Sequence, residues 1–312
     1  MNKRIIKKIE EKLGTAGLFD LLVRKISFSD LQSLLLEVMD EKSGNLQIKD
    51  IFRQYETDPF VKPSSIAPSD FLRMDDLLFS CLPENVKTME LSPVSPLGCC
   101  SRLGIVSQKR IISTIRRTEV CSDPTNILAL EAAKRRKAED SPVSLAVSQR
   151  LLRAEKTLSA HSFPHFKVFS LCFADKDKGN LQFEADAIKT IIIFYNRALS
   201  ELFRRGNPIS EAKFILKFQE ENILKHLQKN LSDMEEKTRN IKLSYSIDKK
   251  ENWNYYKTVR FNLFLKIKEE DYFIADGGDT DWTAKLLNNM KERFFISGLG
   301  SERLISILNK EV

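Results

Sequence analysis

The chain has 312 residues, enough for one large α/β domain and a small appendage. Its composition, 42% apolar and 30% charged, is that of an ordinary soluble globular protein, and its net charge of +7 permits a polyanionic partner without requiring one. No apolar run approaches the ~20 residues of a membrane span, and the basic N-terminus lacks the apolar core of a signal peptide. The five cysteines form no C-x-x-C pair, which favours a reducing cytoplasm.

Residues 1–65 are predicted to form a small helical module. Lys3 to Leu13 has the pattern of a basic amphipathic helix, which we interpret as a solvated surface helix rather than a nucleic-acid or membrane arm. A second helix is expected to begin with Ser29 or Asp30 as its N-cap. Residues 57–70 are rich in turn-forming residues and indicate a linker, so the core is placed at residues 66–312.

The core is predicted to be α+β, with helices that flank a mainly antiparallel sheet. Asp123 or Ser122 is expected to cap the helix that starts at Thr125. The other predicted helices are Asp70–Leu82, Leu181–Phe203 and Glu211–Arg239, and the predicted strands are Ile111–Ile115, Val143–Leu152, Phe166–Leu171, Ile241–Ile247, Tyr256–Ile267 and Asp271–Ala275.

The C-terminal segment Ser297-Gly298-Leu299-Gly300 is typical of a strand end that turns into a helix, with Arg303 in the first helical turn. A guanidinium and helical N–H groups in that place favour an anion, although a surface arginine paired with Glu302 is the plainer reading. Upstream, Arg153 and Glu155 lie two apart on a predicted strand and therefore share a face. The next strand carries Phe169, which either stacks on a purine or belongs to the core.

Three further segments carry candidate binding residues. Cys121-Ser122-Asp123-Pro124-Thr125 is a routine helix cap that could also hold a substrate amine. Tyr255 and Tyr256 would point to opposite faces of a strand, so at most one of them is expected to line a pocket. Asp279 follows Gly277-Gly278 in a segment that is either a solvated turn or a site for Mg²⁺ or an amine.

In this order, the segments resemble the catalytic core of class II aminoacyl-tRNA synthetases over residues 65–312. Within that class they most resemble histidyl-tRNA synthetase and its non-aminoacylating paralogue, the regulatory subunit of ATP phosphoribosyltransferase. Arg153-Ala154-Glu155 is similar to motif 2, and Gly300-Ser301-Glu302-Arg303-Leu304 to motif 3. Leu91 to Pro96 resembles a divergent motif 1, which implies a homodimer. Cys121 to Thr125 resembles the R-P-E-x-T turn that binds the amino acid.

The resemblance implies an ATP- and Mg²⁺-dependent site for an amino-acid-like substrate, with an acceptor or partner protein beside it. It assigns the catalytic role to Arg153 and Arg303. The implied ATP-binding residues are Arg153, Glu155, Phe169 and Arg303, and the implied substrate-binding residues are Asp123, Thr125, Glu251, Tyr255, Tyr256 and Asp279.

The chain departs from the family pattern at two charged positions. Glu251 stands where R-G-L-D-Y-Y-T-G has its arginine, and Asp279 where G-G-R-Y-D has its own. An unpaired buried carboxylate needs a cation, so these changes predict an amine-bearing substrate rather than histidine, with Mg²⁺ as the rival explanation. We also expect no anticodon-binding domain after the motif 3 helix.

The resulting prediction is a synthetase paralogue that binds ATP and activates an amino acid or related carboxylate as an adenylate, an adenylate-forming ligase but not a complete tRNA synthetase. The alternative is a catalytically silent regulatory or scaffold subunit that binds a small ligand. A third reading, an RNA-binding accessory protein, depends on the basic run Lys134 to Lys137, which more simply ends the helix from Thr125.

Overall fold

The computed structural model describes residues 3–154, 163–249 and 253–311. Its internal contacts divide the chain into two units. The smaller is formed by Met1–Lys62 and Ser113–Thr118, and the larger by Pro63–Ile112 and Glu119–Val312. Glu155 and Glu251, which the sequence analysis singled out, lie outside the described residues.

The smaller unit is helical. Ser27 begins α3, since its hydroxyl accepts a hydrogen bond from the Asp30 N–H at 3.1 Å, so the predicted cap at Ser29 or Asp30 is wrong by two or three residues. None of the fully described helices α2, α3 and α4 contains a buried residue. The helices are α1 (Lys3–Leu13), α2 (Leu18–Arg24), α3 (Phe28–Gly44) and α4 (Ile48–Thr57).

The larger unit contains an eight-stranded sheet with the order β1-β4-β5-β10-β9-β8-β6-β7 among the described residues. Only the two edge pairs, β1 with β4 and β6 with β7, are parallel, which confirms the predicted mainly antiparallel α+β fold. The strands are β1 (Lys87–Thr88), β2 (Val94–Pro96), β3 (Thr118–Val120), β4 (Val143–Leu152), β5 (His165–Lys176), β6 (Ile209–Phe218), β7 (Lys242–Ile247), β8 (Tyr256–Ile267), β9 (Glu270–Thr280) and β10 (Glu292–Leu299); β2 and β3 form a separate pair.

Helices cover both faces of this sheet. Ile188 and Phe169 belong to the apolar cluster under one face, and Leu128 and Trp282 to the cluster under the other. Along β4, Ala146 joins the first cluster and Val147 the second, as the two-residue period of a strand requires. The helices are α5 (Pro68–Ser80), α6 (Cys99–Leu103), α7 (Pro124–Ala138), α8 (Gln182–Arg204), α9 (Glu221–Asn230), α10 (Met234–Lys237), α11 (Trp282–Leu287) and α12 (Ser301–Glu311).

The predicted helix Glu211–Arg239 is wrong. The segment up to Phe218 is strand β6, and only α9 and α10 are helical. Ala212, Phe214 and Leu216 are buried at every second position, a strand period that the dense charges between them obscured.

The predicted strand Ile111–Ile115 is also wrong. Ile111 is the cap of a short 3-10 helix, and the strand follows at Thr118, beyond a turn in which Arg117 has a φ of 58°. The β-branched residues in the segment 111–115 therefore precede the strand instead of forming it.

An irregularity in β8 depends on Asp279. Tyr256 pairs with Thr280 and Arg260 with Gly278, so three β8 residues oppose the single residue Asp279. The Asp279 side chain, 5% exposed, accepts hydrogen bonds from the Thr258 and Val259 N–H groups at 2.8 and 2.7 Å. This carboxylate therefore satisfies backbone donors that the ladder leaves without a partner.

Gly277 and Gly278, predicted as a turn, lie inside β9. A Cβ on Gly277 would overlap the Ile296 carbonyl oxygen, and one on Gly278 would lie 2.6 Å from the Tyr256 ring. Both positions therefore require glycine because the neighbouring strands approach too closely for a side chain.

We expect Asp279→Ala to lower the free energy of unfolding by about 2–4 kcal/mol, because two buried N–H groups lose their acceptor. Asp279→Asn keeps a carbonyl acceptor and should lose less. Urea denaturation followed by circular dichroism measures both, with the exposed Asp271→Ala on the same strand as the control. Equal stability of Asp279→Ala and wild type would contradict the assigned role.

Candidate functional site

A cavity of about 450 Å³ lies over β5, β10 and β9 in the larger unit. Phe166, Val168 and Ser170, at every second position of β5, line it, because alternate side chains of a strand share a face. The remaining lining comes from Asp123, Pro124, Thr125, Leu151, Arg153, Phe163, Tyr255, Tyr256, Phe273, Ile274, Ala275, Asp276, Ile296, Gly298, Gly300 and Arg303.

Arg153 is the residue directly after β4, just beyond the strand on which it was predicted, and its side chain lines the cavity. Its Nε donates a hydrogen bond to the Ser122 carbonyl at 3.0 Å, and its guanidinium lies 3.7 Å from the Asp123 carboxylate. The guanidinium also lies 5.4 Å from the centre of the Phe166 ring. These contacts hold the cation in one place while leaving its side chain 46% exposed.

Arg303 enters the cavity from the first turn of α12, as the sequence predicted. It donates one long hydrogen bond, 3.4 Å to the Phe273 carbonyl, and no described carboxylate lies within ion-pair distance. Burial and the nearby charge of Arg153 lower the pKa of Arg303, and Asp276 opposes this. Two cations in one cavity, with one lacking a counter-ion, form a site for an anion.

Glu302, considered above as the partner of Arg303, binds elsewhere. Its fully buried carboxylate lies 3.0 Å from Arg150 and accepts a hydrogen bond from the Lys167 N–H at 2.9 Å. Arg303 is therefore left to face the cavity.

Two carboxylates also face the cavity. Asp123 caps α7 by accepting from the Thr125 N–H at 2.9 Å and hydroxyl at 2.6 Å, as predicted. Asp276, on β9, is half-buried. Burial and the nearby Asp123 raise its pKa to about 6, against the opposing effects of Arg153, Arg260 and the Tyr256 hydroxyl. The site thus combines two cations with two anions.

Tyr255 and Tyr256 both line the cavity, so the expectation that at most one would do so is wrong. The chain turns at Asn254, whose φ is 50°, and Tyr255 precedes the start of β8 instead of lying within it. Its ring packs against Tyr256 and Trp282, with centroid distances of 4.6 and 5.0 Å. Burial raises the pKa of both phenols, so both remain protonated donors.

Two predicted ligand residues lie outside the cavity. Phe169 is on the opposite face of β5, fully buried and stacked on Phe194 with the ring centres 5.6 Å apart. The aromatic ring of this strand that lines the cavity is Phe166. Asp279 is occupied by the β8 backbone, as described above.

Sequence reasoning missed Asp276, Ser170 and Phe166 as cavity residues. The alternation of side chains along β5 was the available signal. Once one aromatic residue of a strand is assigned to the cavity face, every second residue from it shares that face, and the residues between them lie on the other. Asp276 was visible only as part of a presumed turn.

The basic run Lys134 to Lys137 does not form a free basic patch. Arg136, 5% exposed, donates two hydrogen bonds of 3.0 Å to Glu292, and Arg135 pairs with Glu131 at 2.9 Å. Lys134 also lies 3.6 Å from Glu131, so three of the four residues of the run are engaged in ion pairs within the protein.

Comparison with known proteins gives a match only at the level of structure. No family model and no curated protein matches the sequence. An ATP phosphoribosyltransferase regulatory subunit/histidyl-tRNA synthetase from Bacillus halodurans has a TM-score of 0.60 at 12% identity, covering 81% of this chain and 83% of that one. Histidyl-tRNA synthetase from S. aureus has a TM-score of 0.57 at 14% identity, covering 80% and 69%.

A structure described as the RNA-binding domain of threonyl-tRNA synthetase from Cryptosporidium parvum has a TM-score of 0.56 at 11% identity, covering 78% of this chain and 63% of that one. The chain has a class II synthetase-like fold. This confirms the fold predicted from the motifs. At these identities the likeness concerns the fold alone.

The described residues contain no group of three or more histidine, cysteine, aspartate or glutamate side chains arranged to hold a metal ion. They therefore offer no protein cage for the expected Mg²⁺, which stays a prediction. A search of the described helices for one long and apolar enough to span a bilayer finds none.

We expect Arg303→Ala to weaken pyrophosphate binding tenfold to a hundredfold, because it removes a charged donor that has no other counter-ion. Arg303→Lys should recover part of the loss. Isothermal titration calorimetry with pyrophosphate measures this, and Arg204→Ala, a surface arginine paired with Glu201, is the matched control. Unchanged affinity in Arg303→Ala would show that this cavity end is not the anion site.

Proposed function

We propose that this chain binds ATP and an amino-acid-like carboxylate in the cavity and joins them as an acyl-adenylate. The observation that carries the proposal is the convergence of Arg153 and Arg303 on one cavity, where Arg303 has no carboxylate partner among the described residues. Phe166, beside Arg153, offers the aromatic surface for adenine that Phe169 does not.

In this reaction a carboxylate oxygen of the substrate attacks the α-phosphorus of ATP, a new P–O bond forms, and the bond to pyrophosphate breaks. Arg153 would stabilise the charge on the α-phosphate, and Arg303 would hold the γ-phosphate. The N–H groups at the start of α12 lie next to Arg303 and favour the same anion. Mg²⁺, if bound, would depend mainly on phosphate oxygens, and no step is assigned to it.

A second candidate is a ligand-binding regulatory subunit without turnover, which acts through a partner protein. Two observations favour it. One of the structural neighbours is described as an ATP phosphoribosyltransferase regulatory subunit/histidyl-tRNA synthetase. In addition, Glu251 takes the place at which the resembled family has its arginine.

A cytoplasmic setting agrees with all five cysteines being free thiols.

ATP–pyrophosphate exchange across a panel of amino acids and related carboxylates tests the proposal, with ATP binding measured by calorimetry alongside. Exchange that falls at least tenfold in Arg153→Ala and Arg303→Ala, but not in Arg204→Ala, is the expected result. ATP binding without exchange would favour the regulatory subunit. Absence of both would refute an ATP site.

Homodimerisation through Ser92 to Gly98 is proposed from the motif 1 resemblance. Leu97 in this segment is 37% exposed, an apolar side chain that a dimer would cover. We expect sedimentation equilibrium at micromolar concentration to show a dimer and Leu97→Asp to shift it toward monomer. Exposed Leu72→Asp, in α5, is the control. A monomeric wild type would contradict the proposal.

A further inference from the structure

One row of residues crosses three neighbouring strands at the cavity floor. Gly298 on β10 pairs with Ser170 on β5 and with Asp276 on β9. Directly paired residues share a face, and all three line the cavity. Two strand spacings separate Ser170 from Asp276, about 10 Å, with a glycine between them.

The space above Gly298 is open. Apart from the adjacent residues of the chain, a Cβ at this position would have Val168 Cγ1, at 3.8 Å, as the one described neighbour within 4 Å. This sets Gly298 apart from Gly277 and Gly278, where a Cβ would overlap a neighbouring strand. Ser170 and Asp276 therefore form the two polar sides of a slot, and Gly298, which has no side chain, lies at its base.

Both sides of the slot can accept a further hydrogen bond. The Ser170 hydroxyl is fully buried and has no hydrogen-bond partner among the described residues. Asp276 has the Tyr256 hydroxyl as a hydrogen-bond partner, and no described cation lies within ion-pair distance. A buried hydroxyl without a partner is costly, and so is a carboxylate without a cation.

We propose that the slot formed by Ser170, Gly298 and Asp276 binds a protonated amine of the carboxylate substrate, whose carboxylate lies toward Arg153, while Arg303 holds the γ-phosphate of ATP. Arg303 and Asp276 carry opposite charges in one cavity, and neither has an ion pair within the described residues. The γ-phosphate of ATP supplies the partner of Arg303, and the ammonium group of the substrate supplies the partner of Asp276. The inference deepens the proposed function and rests on it for the positions of the carboxylate and the γ-phosphate.

Recognition of the amine requires the Asp276 carboxylate form. The charged groups around Asp276 are Asp123 at the start of α7, Arg153 after β4, Arg260 on β8 and Arg303 on α12; Arg260 is itself bound to Asp248 at 3.3 Å. With the pKa of Asp276 at about 6, the carboxylate predominates at pH 8 and is roughly one-tenth populated at pH 5. Amine affinity should therefore fall about tenfold from pH 8 to pH 5.

The test compares ω-amino carboxylates from glycine to 6-aminohexanoate, each against the alkanoate in which a methyl group replaces the ammonium. Binding to the full chain is measured by calorimetry at pH 8 and pH 5. At least one amino carboxylate should bind tenfold or more tightly than its alkanoate at pH 8. Asp276→Asn should remove both this preference and its pH dependence, and Ser170→Ala should weaken the preference less.

Two further variants test whether the slot itself binds the amine. Gly298→Val should fill the slot and abolish amine binding without unfolding the protein, which thermal denaturation checks. Asp271→Asn, at an exposed position of the same strand as Asp276 outside the cavity lining, should retain the amine preference. Alkanoates that bind as tightly as every amino carboxylate, or an Asp276→Asn variant that keeps the preference, would overturn the inference.

The outcome also separates this inference from the proposed function. Amine preference without pyrophosphate exchange supports the slot and refutes adenylate formation. Exchange that proceeds equally with alkanoates supports adenylate formation and refutes the slot.

Discussion

The Asp279 carboxylate holds together the part of the sheet on which the cavity depends. It binds two N–H groups of β8 where three residues oppose one, and it thereby fixes the path of the strand just after Tyr256. Because Gly278 has no side chain, the Tyr256 ring can lie against β9 and reach the Asp276 carboxyl. A carboxylate on the far side of the strand thus positions a phenol in the cavity, although Asp279 itself touches no ligand space.

The cavity contains two arginines and two aspartates, and only one arginine and one aspartate among them lie close together. Arg153 and Asp123 lie 3.7 Å apart and hold each other near Ser122 and α7, whereas Arg303 and Asp276 have no ion pair with any residue that the structure describes. A half-buried charge without a partner costs free energy in the empty protein. The protein tolerates this cost at two points of one cavity, which is the pattern expected where a ligand supplies the missing charges.

Sequence reasoning was most successful where several local signals agreed. The run from Gly300 through Arg303 predicted the entry into α12, and Asp123, which caps α7, was one of the two residues predicted for that role. It was wrong where tertiary pairing decides the outcome. The parity of β5 puts Phe166 rather than Phe169 in the cavity, and the β8 irregularity turns Asp279 away from it. Neither the pairing register nor a bulge can be read from a single strand's composition.

The contrast between the three glycines of this sheet sets limits on how the cavity can be redesigned. Gly277 and Gly278 are enclosed by neighbouring strands, so a library of variants at these positions would mostly sample misfolded proteins. Gly298 has free space above it, and side chains of graded size can be introduced there. The depth of the cavity can therefore be adjusted at this single position. A series of alanine, serine and valine there would measure how much of the depth the bound molecule requires.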